Sequence, residues 1–175
     1  LAEKRRNNMI EMKIRPYAPD DLEECRTLWE ELTQHHREIY DDPSIGGDNP
    51  GLYFDKHLAD VGAERIWVAE LSGNAVGMTG LIVKDKEAEI EPLIVSPEYR
   101  FRGIGRALVA RAVQEAQTLG VSYVSVKPVA RNVHALSFFR ECGFGIVGYI
   151  ELFIDLSIKG KWKEGLSLFN HDFKY

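Results

Sequence analysis

The chain has 175 residues, 45% hydrophobic and 28% charged, with a formal net charge of -5. That fits one globular domain whose core needs neither disulfide nor metal. The acidic balance argues against nucleic acid as a partner and suits a cationic one, and no apolar run approaches the roughly 18 residues of a membrane helix.

The polar start LAEKRRNN lacks the apolar middle of a signal peptide, so residues 1–11 are expected to be an N-terminal extension and 12–175 a single, cytoplasmic domain with no membrane partner. Met12 to Arg15 reads as a short strand before Pro16. Asp20 and Asp21 open a helix to about Ile39, with Leu22, Cys25, Leu28, Trp29 and Leu32 as its apolar stripe. Tyr40 to Gly51, rich in Asp, Asn, Pro and Gly, reads as a loop, and Leu52 to Val61 as a second helix. Ile66 to Leu71, a Ser72-Gly73-Asn74 turn and Ala75 to Val83 form a hairpin. After a charged turn, Ala88 to Val95 is a further strand. A helix runs from about Gly103 to Leu119 and stops at Gly120. Tyr123 to Pro128 alternates as a strand, Asn132 to Cys142 is helical, and Ile146 to Leu156 is expected to be a long strand. Another strand is expected near Leu166 to Phe169. The order β-α-α-β-β-β-α-β-α-β implies an α/β or α+β layer with mixed strand directions. Cys25 and Cys142 form no CxxC and read as reduced packing residues.

The densest signal is VSPEYRFRGIGRAL, Val95 to Leu108. A strand ends at a proline, and a two-glycine loop leads into an amphipathic helix. Such a loop presents backbone N–H groups that the helix has not used, and with the helix dipole they make an anion site. Glycine lets a phosphate approach closely. Arg106-Ala107 replaces the Lys-Ser/Thr of a Walker loop, and Leu108 replaces the third glycine of a dinucleotide fingerprint.

The Arg-x-x-Gly-x-Gly run from Arg100 resembles the signature of the GNAT N-acetyltransferases. NVHALSFFRECGF, Asn132 to Phe144, is similar to that family's second landmark, and the likeness covers about residues 12 to 156. The resemblance implies a mixed, splayed sheet flanked by about four helices, with acetyl-CoA as acyl donor. The amides of Arg100, Phe101, Arg102, Gly103, Ile104, Gly105 and Arg106 would hold the pyrophosphate. Ile94 and Val95 would pair with the pantetheine arm, and Asn132 and Phe139 would meet it from the far side. It also implies an amine acceptor, small and cationic or peptidyl. The alternative is a non-catalytic acyl-CoA-binding module.

An alkylammonium, pKa about 10.4, must lose a proton before it attacks a thioester. Glu89 and Glu91, two apart on a strand, share one sheet face. A Glu at the Glu89 position serves as base or holds a water relay in related enzymes; a solvated strand face is the other reading of the pair. Many members place a Tyr general acid where this chain has Phe139, and Tyr149 and Tyr99 are the candidate substitutes. The acceptor pocket is expected between the first two helices, among His35, His36, Tyr40, Asp41, Asp42, Asp48, Tyr53 and Phe54. His35-His36 has no helical partner suited to a metal, so no metal is assigned. The aromatic tail could support a homodimer.

Overall fold

Five strands build one sheet in chain order: β1 (Lys13–Pro16), β2 (Ile66–Leu71), β3 (Asn74–Lys84), β4 (Glu87–Val95) and β5 (Tyr123–Ser125). The computed structural model describes residues 12–156 and 160–175; the expected extension over 1–11 lies outside them. β1 to β4 are antiparallel neighbours, and β5 joins β4 in parallel. Helices α1 (Leu22–Tyr40) and α2 (Tyr53–Val61) cover one face. The other carries α3 (Ile104–Thr118) and α4 (Val133–Glu141). A separate hairpin, β6 (Leu166–Leu168) and β7 (His171–Phe173), follows.

The elements form where the apolar pattern puts them. On the α1/α2 face, Cys25, Leu28, Phe54, Val68, Met78 and Ile94 are buried together. On the α3 face, Trp67, Leu81, Ala88, Ile90, Val109 and Ala112 pack into a second cluster, and the Arg111 guanidinium lies 4.6 Å from the Trp67 ring centroid. Each large side chain buried this way contributes about 1.5–3 kcal/mol. Burial pushes the Cys25 thiol up to about 12, so it is an inert packing group. Asp21 anchors the start of α1: its buried carboxylate accepts the Ala18 N–H at 2.7 Å and both terminal nitrogens of Arg15 at 2.8 and 2.7 Å.

β4 is not a regular strand. Thr79 pairs with Leu93 and Leu81 with Ile90, so Gly80 alone faces both Glu91 and Pro92. This bulge reverses which face the following residues present. Ala88 and Ile90 pack toward α3, whereas Ile94, an even number of residues on, packs with Cys25 and Leu28 under α1. Position 80 must be glycine, because a Cβ there would collide with the Glu91 carbonyl oxygen.

Two expected strands differ. β5 stops at Ser125 rather than Pro128: its ladder with β4 ends at Glu89 and Ser125, just before the bulge. Residues 146–156 form no strand. Ile146, Val147, Tyr149, Leu152, Ile154 and Leu156 stand largely in solvent. Apolar composition makes a segment able to be a strand, but a ladder also needs a neighbouring edge, and β5 offers only three residues of one.

Candidate functional site

The site follows from the short β4–β5 ladder. The two strands pair only from Glu87 with Tyr123 to Glu89 with Ser125. β4 then continues along β3 to Val95, while the chain after β5 departs toward α4. Residues 90–95 and 126–132 are therefore not joined by a ladder and stand as the two walls of a candidate cleft, with the last pair, Glu89 and Ser125, at its apex.

At the mouth, β4 ends in a turn, Pro97–Tyr99, and the loop reaches α3 through Gly103. Gly103 has φ 82° and nothing within 4 Å of where a Cβ would stand. It occupies a backbone conformation natural to glycine and faces open space. The first α3 hydrogen bond runs from the Ala107 N–H to Gly103 O, which leaves the N–H groups of Ile104, Gly105 and Arg106 unused by the helix. An anion such as a pyrophosphate fits here. Phe101 also has positive φ, 62°, and its ring is fully exposed beside this cradle.

The side chains of the other loop residues hold the loop in place. Arg100 Nε donates to Val95 O at 3.0 Å, and an Arg102 terminal nitrogen donates to Glu98 O at 3.0 Å. Arg106 reaches the Glu141 carbonyl and carboxylate at 3.1 and 3.2 Å, tying α3 to the end of α4. These side chains brace the loop while their charge stays near it. Gly105 faces inward: a Cβ would sit 3.2 Å from the Phe138 ring. Its smallness serves the α3–α4 contact.

Glu89 precedes the bulge and Glu91 opens it, and both point away from the face of Ala88 and Ile90. The Glu89 carboxylate accepts a hydrogen bond from Lys127 Nζ, which lies just beyond Ser125. Glu91, though its side chain is largely exposed, has its carboxyl raised by local desolvation and then by the Glu89 charge. Beneath the bulge, His57 of α2 is 8% exposed and rests 5.2 Å from the Trp29 ring. Its Nε2 is buried without a well-aligned hydrogen bond. Burial holds the imidazole below its ordinary pKa, although the nearby Glu91 carbonyl favours protonation. The neutral ring is the form expected there.

On the far wall, the Asn132 side chain caps α4, accepting the Ala135 N–H at 3.0 Å. Phe139 is half-buried between Phe138 and Phe144, at 5.3 and 5.6 Å between ring centroids. Tyr149 is exposed and lies near Tyr123, at the end of β5 away from the phosphate loop. Tyr99 stacks under Arg102 at 5.3 Å and lines a cleft of about 210 Å³ with Glu24, Glu31 and Ser96.

The loop after α1 is more structured than its composition suggests. Arg37 donates to Ile45 O and Gly47 O at 2.8 and 2.6 Å, and Asp41 pairs with Lys161 at 2.5 Å. His35 and His36 are half-buried, both with lowered pKa: desolvation acts first, then Arg100 on His35 and His35 on His36. Phe54 is fully buried in the core beside Tyr17, so it lines no pocket. Asp48 and Tyr53 are exposed. Among the described residues no group of three or more His, Cys, Asp or Glu could hold a metal, and no helix is long and apolar enough to cross a membrane.

Three residues of this region escaped the sequence reading. Lys127 had a signal: in the alternating run from Tyr123 it shares a face with Ser125. His57 and Arg131 had none. Arg131 is buried, stacks 4.7 Å from the Tyr40 ring centroid and donates to Tyr175 O at 3.1 Å, so it joins α1 to the tail.

The model of the acetyltransferase (GNAT) family matches residues 22–144. N-acetyltransferase family 8 member 3 of Rattus norvegicus is 35% identical over 107 residues, covering 58% of this chain and 45% of its own length. The chain thus spans less than half of that relative. Spermidine N(1)-acetyltransferase of Vibrio cholerae is 27% identical over 122 residues, covering 66% of this chain and 70% of its own. Among solved structures, the PaiA N-acetyltransferase of Thermoplasma acidophilum in complex with coenzyme A has the same fold, with TM-score 0.66 at 21% identity. It covers 75% of this chain and 87% of that one.

Proposed function

Because the chain belongs to the GNAT family of acetyltransferases, we propose that it moves an acetyl group from acetyl-CoA to a primary amine, by direct transfer in a ternary complex. The acceptor in this reading is a small cationic amine of the polyamine or aminoglycoside kind. The observation that carries the proposal is the alignment of two features along one cleft: an anion cradle at Gly103 and the start of α3, and a carboxylate pair, Glu89 and Glu91, at the apex. A donor whose pyrophosphate sits in the cradle runs its pantetheine arm down the β4 wall past Val95 and Ile94. The thioester end then approaches the carboxylates.

These groups divide the work. The α3 amides neutralise phosphate charge. The wall at Ile94 and Val95 orients the arm. Glu89, or Glu91 with its raised carboxyl, takes the ammonium proton directly or through water. From Glu89 to Ile94 is roughly 16 Å of extended strand, so Glu91 stands closer to a donor held beside Ile94. Phe139 donates no proton. A simple thiol has pKa about 8.5, so the thiolate can leave unaided. The carboxylate pair supports a cationic acceptor, and so does the resemblance to a spermidine N(1)-acetyltransferase.

The experiment is thiol release from acetyl-CoA with a panel of polyamines, aminoglycosides and peptide amines. Amine-dependent release selective for the small polycations is expected. Release with peptide amines alone would move the acceptor to proteins. Tight CoA binding without release to any amine would make the chain a binding module.

A further inference from the structure

We propose that the ε-amine of Lys127 is itself an acetylation site, filled from the acetyl-CoA held in the same chain's cleft. The inference rests on the acetyl-transfer reading above and names an acceptor within the protein. Lys127 is the first cation past the point where β4 and β5 part, and its Nζ donates to the Glu89 carboxylate. It therefore rests against one of the two carboxylates proposed above to take the acceptor's proton. Its side chain is 73% exposed, so nothing packs the amine in place. Three carboxylates face it: Glu89 and Glu91 from β4, and Glu151 from the segment after α4. Together they keep it an ammonium, the Glu89 hydrogen bond most of all.

The step balances without an outside reagent. Glu89 accepts one proton from the Lys127 ammonium, and the neutral nitrogen attacks the thioester carbonyl. A C–N bond forms, the C–S bond breaks, and the departing thiolate takes up the second amine proton. The products are Nε-acetyl-lysine, free CoA thiol and one proton passed from Glu89 to solvent. The acetamide can no longer pair ionically with Glu89, so the modification frees that carboxylate for an external amine.

Lys161 supplies an internal control, since it is also 73% exposed and also pairs with a carboxylate, that of Asp41, but outside the cleft. The protein is incubated with acetyl-CoA and no added amine at several pH values. Peptide mass spectrometry then reads each lysine while free thiol is titrated. The expected result is acetylation of Lys127 at least about tenfold faster than Lys161, the lower end of general-base assistance. One thiol should appear per acetylated Lys127, at a rate independent of protein concentration and rising with pH. Glu89→Gln should remove the preference. Lys127→Arg keeps the cation and should abolish the stoichiometric thiol burst. Equal labelling of Lys127 and Lys161 overturns the proposal. Turnover of an external amine with Lys127 unmodified overturns it while leaving the acetyltransferase reading intact. Failure to release thiol with any amine, free or internal, sinks both.

Discussion

The two walls of the cleft are built to different standards. Every fully buried hydrophobic residue among those described lies between Cys25 and Ala116, on the side of β1–β4 and α1–α3. Across the cleft, α4 buries no residue completely. It is held by half-buried aromatics, the Asn132 cap and the Arg106–Glu141 contact. The β4 wall carries the anion cradle and the carboxylates, so the parts that must hold a charged donor in register stand on the dense side. The difference teaches that only one wall of such a cleft needs a rigid core. The other can be attached by a few specific contacts.

The largest effect should come from the dense wall. Trp67→Ala removes a side chain 1% exposed and should cost about 3–5 kcal/mol in urea unfolding. A loss below about 1 kcal/mol would mean that this core is not the one that matters.

Next is the chemistry mounted on that wall. Glu89→Gln keeps the shape and removes a proton acceptor, so kcat should fall at least about tenfold at neutral pH with acetyl-CoA affinity nearly intact. The deficit should shrink toward about pH 9–10, where more of a free alkylamine is already neutral. A uniform loss at all pH values would point to positioning instead. A larger loss in Glu91→Gln would transfer the role to the nearer carboxylate.

The far wall should open by itself. Asn132→Ala deletes the α4 cap and should cost about 1 kcal/mol. Hydrogen exchange should quicken in α4 and stay unchanged in α3. Uniform acceleration would show that the two walls unfold as one unit.

The smallest effect is expected after α4. Ile154 is largely exposed, so Ile154→Thr should change stability by less than about 0.5 kcal/mol. A loss like that of a core truncation would show that residues 146–156 are covered in solution.

The sequence by itself determined the elements through α3 and the identity of the glycine loop. These depend on short-range chemistry: helical spacing in Leu22–Tyr40, a glycine turn at Ser72–Asn74, and glycines before an amphipathic helix. The acids on β4 were legible for the same reason, since two residues two apart share a face wherever the strand runs. Contacts between distant segments were decided only by the tertiary structure. The bulge opposite Gly80 reverses β4 between Ile90 and Ile94; Pro92 marks an irregularity locally, but which face the later residues present depends on cross-strand register. The carbonyls that the loop arginines hold come within their reach only in the folded chain. Residues 146–156 had the composition of a strand and lacked an edge to pair with. Lys127 and Glu89 stand 38 residues apart in the chain. They meet because a parallel crossover through α3 brings β5 beside β4, and pairing of that range is set by how the whole sheet packs.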